Sequence, residues 1–394
     1  MSPDTKLSLA PEALPQKKPI ALVLSGGGAR GAYQAGVLKA VAEILPKSTY
    51  NPFPIICGTS TGAINALALA GRTGPFRLRI RKLEYIWRSI RPHKVYRADA
   101  MGVMKNSLRM ALSFFHSGYS PGKPVALLDT SPLRALLERV VRFRHIDEAI
   151  AGGELKALSI TCMSYTSGQS ITFFQGAHDS NNWERSRRKG IRTGLTVDHL
   201  MASSAIPTLF PSVKIGGHYF GDGAIRQLKP LSPALQLGAK KLFVVGVSDK
   251  TKPEDLEGPA SHSPSIAQII NHMFNSAFAD AMEADLETMH SINRLIAGIS
   301  EEEREELDIH DMDHIDALAI RPSQSIEAMA ANYLTELPFI LKLFMKGIGA
   351  TARGGGAGTA SFLLFEKKFC SQLLNLGYRD AMEKAKEIRE FFES

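Results

Sequence analysis

Three cysteines in 394 residues, Cys57, Cys162 and Cys370, are too few and too scattered for a disulfide framework or a zinc site. No stretch reaches about 18 consecutive apolar residues, so nothing in the chain is expected to span a bilayer. The opening MSPDTKLSLAPEALPQKKP lacks the basic, apolar and small-residue order of a secretory signal and reads as a loose, proline-punctuated tail. These shortages together predict a reduced, cytoplasmic setting. No internal repeat of 20 to 50 residues is visible, which excludes solenoids and propellers.

What is present suits a globular protein. With 44% hydrophobic and 22% charged residues a sizeable core can form, and the length fits one large domain with an extension, or two domains. The net charge is +8. It concentrates in FRLRIRKLEYIWRSIRPHKVYR (76–97), with eight Lys/Arg against the single acid Glu84, and in RSRRKGIR (185–192). Such patches attract polyanions, although a solvated helix face is the ordinary explanation of either one alone. No nucleic-acid motif accompanies them, so no nucleic acid partner is expected.

Two segments share one grammar. PIALVLSGGGARGAYQAGVLKAVAEIL (19–45) passes from a short apolar run through glycines into apolar positions at helical spacing, and FPIICGTSTGAINALALAG (53–71) repeats that order. Further strands are predicted at 155–164, 170–176, 212–220 and 240–248, with helical patterns between several of them. The alternation predicts a layered α/β domain with a largely parallel sheet over residues 19–250, behind a tail of residues 1–18. Past 250 the strand signals stop. Residues 250–265 read as a linker and 251–394 as a mainly helical extension. That extension contains the apolar run 333–349, a flexible ATARGGGAGTAS (350–361) and an amphipathic helix from Asp380 to Phe392.

The glycine turn SGGGARG formally matches a dinucleotide-binding loop, but positions 48–56, STYNPFPII, lack the acid that would hold a ribose, and no Gly-Lys-Ser/Thr follows. The same geometry also suits an oxyanion hole, because glycines and helix N-termini present unpaired amides to a ligand. GTSTG places Ser60 between Gly58 and Gly62 at a strand-to-helix turn, the pattern of a nucleophile elbow. Asp222, between Gly221 and Gly223, can be approached closely by a hydroxyl, although Asp-Gly is also a common hairpin turn.

In that order GGGARG, GTSTG and DGA resemble the patatin-like phospholipase family. So do MASSAIPTLFPSVKIGGHYFGDGA (201–224) and LSPALQLGAKKLFVVGV (231–247), while SFLLFEKKFCSQLLNLGYRDA (361–381) is similar to the tail of long bacterial members. The resemblance implies a three-layer α/β/α fold and hydrolysis of lipid acyl esters through a Ser–Asp dyad without histidine. Ser60 would be the nucleophile, Asp222 the base, and the amides of Gly26, Gly27 and Gly28 the oxyanion hole. Arg30, Gly31, Gly58, Gly62 and Gly223 would support that geometry. A phospholipid or another acyl lipid is the implied substrate, with no cofactor and no metal. The basic stretch 76–97, through Arg77, Arg81, Arg88 and Trp87, is expected to meet an anionic membrane surface. Thr61 departs from the small residue frequent after the nucleophile and is expected to narrow access. Two alternatives stand beside this reading: a Ser–His–Asp esterase using His290, His310 or His314, and a lipid-sensing scaffold that keeps the pocket without turnover.

Overall fold

Short runs of β-branched and aliphatic residues, each too short for a helix of its own, assemble into one ten-stranded sheet in the computed structural model, which describes residues 18–113, 124, 126–248, 263–307, 309, 313–347 and 356–394. Most of the predicted tail and linker, His310 and residues 350–355 lie outside the described residues. The strands are β1 (Ile20–Leu24), β2 (Ile55–Thr59), β3 (Ala157–Ser164), β4 (Ser170–Gly176) and β5 (Trp183–Arg185), then β6 (Arg188–Arg192), β7 (Val213–Ile215), β8 (His218–Asp222), β9 (Lys241–Val245) and β10 (Asp316–Ile320). Their order is β10-β9-β1-β2-β3-β4-β6-β5, with β8 on β3 and β7 on β8. The five strands from β10 to β3 run parallel, and β4 and β8 are antiparallel to β3.

The central strands bury both faces, as a parallel sheet covered on two sides must. Leu22, Leu24, Ile56 and Phe243 pack on one side, beneath α1 (Ala32–Ile44), α2 (Thr61–Ala70) and α3 (Phe76–Arg88). Ala21, Val23, Ile55 and Leu242 pack on the other, against Leu231 and Ala234 and against Met282, Leu286 and Met289 of the helix Ala281–Ala297. The result is the three-layer α/β/α arrangement with a mostly parallel sheet, followed by a mainly helical C-terminal region.

Three expectations need correction. Strand structure does not stop at 250, because Asp316–Ile320 pairs in parallel with Lys241–Val245 and extends the sheet. The stretch 212–220 is a hairpin rather than one strand: Gly216 and Gly217, at φ 54° and 89°, turn the chain between β7 and β8. Residues 356–361, read as flexible, form the fully buried helix Gly356–Ser361. Glycine and alanine, which suggest looseness in a sequence, here allow close packing: a Cβ on Gly358 would lie 2.2 Å from Asn271 Oδ1.

The C-terminal helix Lys367–Glu383 lies on α1 at backbone distance. A Cβ on Gly36 would meet the Leu374 carbonyl oxygen at 1.9 Å, and one on Gly377 the Tyr33 carbonyl oxygen at 2.2 Å, so only glycine fits at either crossing point. Tyr33 donates its hydroxyl proton to Asp380 Oδ2 at 2.9 Å across the same contact.

Candidate active site

Register explains how residues 162 positions apart meet. β2 runs parallel to β3 and ends with Thr59 opposite Thr161, while β8 runs antiparallel to β3 and ends with Asp222 opposite Cys162. With β4 on the other edge of β3, β2 and β8 lie along one edge and meet tip to tip. Ser60 follows one tip and Asp222 is the other. Ser60 Oγ donates to Asp222 Oδ2 at 2.6 Å, and both residues are buried, at 1% and 0% exposure.

Ser60 is one of three non-glycine residues with positive φ among the described residues, at φ 54° and ψ −125°. Such a conformation costs on the order of 1–3 kcal/mol and persists where its surroundings enforce it. Here they do. The Ser60 amide donates to Ser203 Oγ at 2.8 Å, whose hydroxyl in turn donates to the Thr161 carbonyl at 2.6 Å. On the other side the Ser60 carbonyl accepts the first amides of α2, from Ala63 at 2.9 Å and Ile64 at 3.2 Å. Gly58 and Gly62 make the turn possible. A Cβ on Gly62 would sit 2.2 Å from the Leu24 carbonyl oxygen, and one on Gly58 2.5 Å from that of Gly62.

Asp222 is held from three directions. Its amide donates to the Ala205 carbonyl at 3.0 Å, its Oδ1 accepts the Ala224 amide at 3.0 Å, and its Oδ2 accepts Ser60. Gly223 lies against β3, where a Cβ would be 2.1 Å from the Thr161 carbonyl oxygen. The Asp-Gly pair therefore leads into a 3₁₀ turn, Gly223–Arg226, and is no hairpin. Burial pushes the Asp222 carboxyl up from 3.8 to about 7, against the opposing pull of the Ser60 and Ala224 hydrogen bonds.

The glycine loop closes over this pair. A Cβ on Gly26 would come within 3.1 Å of Ser60 Cβ, so the loop backbone runs beside the serine. The amides of Gly26, Gly27 and Gly28 donate to no protein acceptor among the described residues, whereas those of Ala29 and Arg30 donate to the Phe362 and Gly27 carbonyls at 3.0 and 3.1 Å. Gly28 stands at φ 56°, and a Cβ there would collide with Phe362 O.

Arg30 points away from Ser60. Buried at 2% exposure, it donates through Nε to Ser361 Oγ at 2.7 Å and through Nη2 to the Gly358 carbonyl at 3.4 Å. Its guanidinium also lies 4.0 Å from the Phe362 ring centroid and pairs with Glu327 at 3.5 Å. Its work is to fasten the loop to the C-terminal segment. Thr61 fastens it from the other side, donating its hydroxyl to the Gly28 carbonyl at 2.8 Å while its methyl fills the space a Gly31 side chain would need.

A narrow apolar channel of about 60 Å³ opens at Ser60 between α2, α3 and the helix Ser131–Val140, walled by Ile64, Leu83, Leu133, Leu137 and Phe210. Trp87, expected as an interfacial aromatic, is 4% exposed, lines this channel and donates its indole N–H to Asn65 Oδ1 at 2.9 Å. Arg77 donates to the Glu43 and Leu45 carbonyls and Arg88 to Glu84, so two of the expected membrane cations are tied down, while Arg81 is exposed.

Among the described residues no histidine bonds Ser60 or Asp222. His290 and His314 line a separate cleft between the helix Ala281–Ala297 and β10. His199, whose ring is pushed down to about 4 by burial, accepts the Thr196 amide in a capping box. No cluster of His, Cys, Asp or Glu fit to hold a metal occurs among the described residues, and none of their helices is long and apolar enough to cross a membrane.

Sequence reasoning missed Ser203, which sits in the quoted MASSAIP segment, and the clamp from Phe362 and Ser361. The first ends the short helix Val197–Ser203 and carried no signal of its own, and the second lies more than 330 residues from the loop.

Comparison with known proteins gives three findings. The model of the patatin-like phospholipase family matches residues 22–235. A cGAMP-activated phospholipase of Pseudomonas aeruginosa is 27% identical over 205 residues, 52% of each chain, and a cUMP-AMP-activated phospholipase of Escherichia coli is 49% identical over 49 residues, 12% of this chain and 15% of that one. The chain thus spans about half the length of the first of these relatives. The structure of VipD from Legionella pneumophila aligns at 12% identity and a TM-score of 0.32, over 94% of this chain and 67% of that one.

Proposed function

The chain belongs to the patatin-like phospholipase family, and from that premise we propose that it releases fatty acids from phospholipids or related acyl lipids by serine catalysis. The observation that carries the reading is the 2.6 Å hydrogen bond from Ser60 Oγ to Asp222 Oδ2 in a buried site where, among the described residues, no histidine bonds either one. A carboxylate of ordinary acidity is a weak base. One raised to about 7 is matched to proton transfer at neutral pH.

In the proposed cycle Asp222 takes the Ser60 proton as Oγ attacks the acyl carbonyl, and the Gly26–Gly28 amides receive the developing oxyanion. Asp222 then returns the proton to the departing alcohol or lysolipid. Water enters, gives its proton to Asp222 and attacks the acyl carbonyl; the bond from Ser60 Oγ to the acyl carbon breaks, Oγ takes the proton back from Asp222, and the fatty acid leaves. The glycine-loop backbone running beside Ser60 supports giving its amides this role.

The channel supports regulated access. It is narrow, with about 60 Å³ of open space, so we infer that α3 and the helix Ser131–Val140 move apart as an acyl chain enters. We extend to this chain the control that its relatives' names describe: a cyclic nucleotide that favours the open form. A scaffold without turnover would also keep a closed pocket, and one experiment separates the two. A fluorophosphonate probe should label Ser60, identified by peptide mass spectrometry, and Ser60→Ala should abolish both labelling and ester hydrolysis. Hydrolysis surviving in Ser60→Ala would remove the assignment.

A further inference from the structure

The basic run RSRRKGIR has no part in the site described above. It forms the β5–β6 hairpin, whose turn is Ser186-Arg187 with Arg187 at φ 58°. Behind the hairpin lies a cavity of about 240 Å³ walled by four cations, Arg187, Arg188, Arg226 and Lys229, and by no acid. Two of the four have partners: Arg226 Nε donates to the Gly168 carbonyl at 3.0 Å, and Lys229 meets Asp285 at 3.1 Å. Positive charge still exceeds negative at the wall.

Trp183, 8% exposed, and Arg188 also line the cavity; the indole N–H and Arg188 Nε are buried within the wall and have no protein acceptor among the described residues. Ser170 and Thr172 add hydroxyls to the wall. Four cations and two hydroxyl residues around one cavity make an anion site, and we propose that this cavity binds the phosphate group of a phosphate ester. Its volume admits a phosphate with several waters.

The cavity is wired to the nucleophile strand. Thr172 Oγ1 lies 3.1 Å from Thr161 Oγ1, which accepts from Gln227 Nε2 at 3.2 Å, and Gln227 Oε1 accepts from Thr59 Oγ1 at 2.6 Å. Thr59 precedes Ser60. A phosphate at the Thr172 end therefore bears on the row that ends at the elbow, across one face of the sheet.

The test is calorimetric titration of the full chain with glycerol 3-phosphate. Saturable binding is expected, competed by inorganic phosphate and at least tenfold weaker in R187Q/R188Q. Absence of saturable binding by the wild type, or undiminished affinity in the folded variant, would overturn the site. This readout does not involve turnover, so it survives failure of the hydrolase reading. That reading enters only in naming the source of the phosphate. A KM for phosphatidylglycerol in mixed micelles raised at least fivefold in R187Q/R188Q, with the KM for neutral diacylglycerol unchanged, identifies a lipid headgroup. An unchanged phospholipid KM, with glycerol 3-phosphate altering kcat on a small neutral ester in the wild type alone, identifies a free phosphate ester.

Discussion

Replacing Asp222 by asparagine should stabilise the protein, and the gain should depend on pH. Burial holds the carboxyl at about 7 in the folded chain against 3.8 for the ordinary group. A group whose folded value is raised contributes stability that is fully present below its unfolded value and is lost as pH climbs through the folded one. The whole loss is roughly 4 kcal/mol at 1.36 kcal/mol per pH unit, of which about 3 kcal/mol falls between pH 5 and pH 9. Asparagine does not titrate. Its Oδ1 can still accept the Ala224 amide, and its Nδ2 can donate to Ser60 Oγ. Unfolding entropy of about 2.1 cal/mol/K per residue gives roughly 0.8 kcal/mol/K for this chain, so about 3 °C of unfolding temperature is at stake. Calorimetric scans of both proteins across pH 5–9 should therefore show the difference, Asp222→Asn minus wild type, growing by about 3 °C. The wild-type rate on a soluble ester should rise over the same range with a midpoint near 7, and that of the variant should stay at background. A stability difference that is flat with pH would refute the reasoning, because the carboxyl would then not be held neutral by burial.

Ser203→Ala strips the partner from the Ser60 amide and from the Thr161 carbonyl. It should lower stability by about 2 kcal/mol and kcat by on the order of tenfold, read by thermal unfolding and ester assay; a variant unchanged in both would show that Ser203 does not hold the elbow. Membrane contact is expected through the helix Ala100–Ser113, where Met101, Met104 and Leu108 are 78%, 68% and 61% exposed beside Lys105. Met104→Asp with Leu108→Asp should weaken flotation with anionic vesicles while sparing hydrolysis of a small ester, and undiminished flotation would count against that face.

The pieces nearest to backbone geometry were legible in the sequence. Gly58 and Gly62 around Ser60 have one physical reason each, a carbonyl oxygen within 2.5 Å of where a Cβ would stand, and local motifs report such needs directly. Burial of both faces made β1, β2 and β9 readable as continuous apolar runs. β10 escaped because Asp316–Ile320 is a short edge strand only half covered, and the alanines and leucine of its DALAI favour a helix as readily as a strand. The buried helix Gly356–Ser361 escaped for the opposite reason: small residues chosen for close contact are indistinguishable, one by one, from residues chosen for looseness. Trp87 was misplaced because a basic amphipathic helix has two faces, and composition does not say which one carries the indole. Arg30 stood out in the sequence as a support of the loop, but its partners at 358–361 had no local trace.

The clamp on the glycine loop also sets a schedule. Ala29 gives its amide to the Phe362 carbonyl, and Arg30 reaches Ser361. Synthesis must therefore reach residues 361 and 362 before that loop can be fastened beside Ser60. The emerging polypeptide carries its elbow early and the fastening of the loop late. The serine thus leaves the ribosome long before the loop beside it can be set.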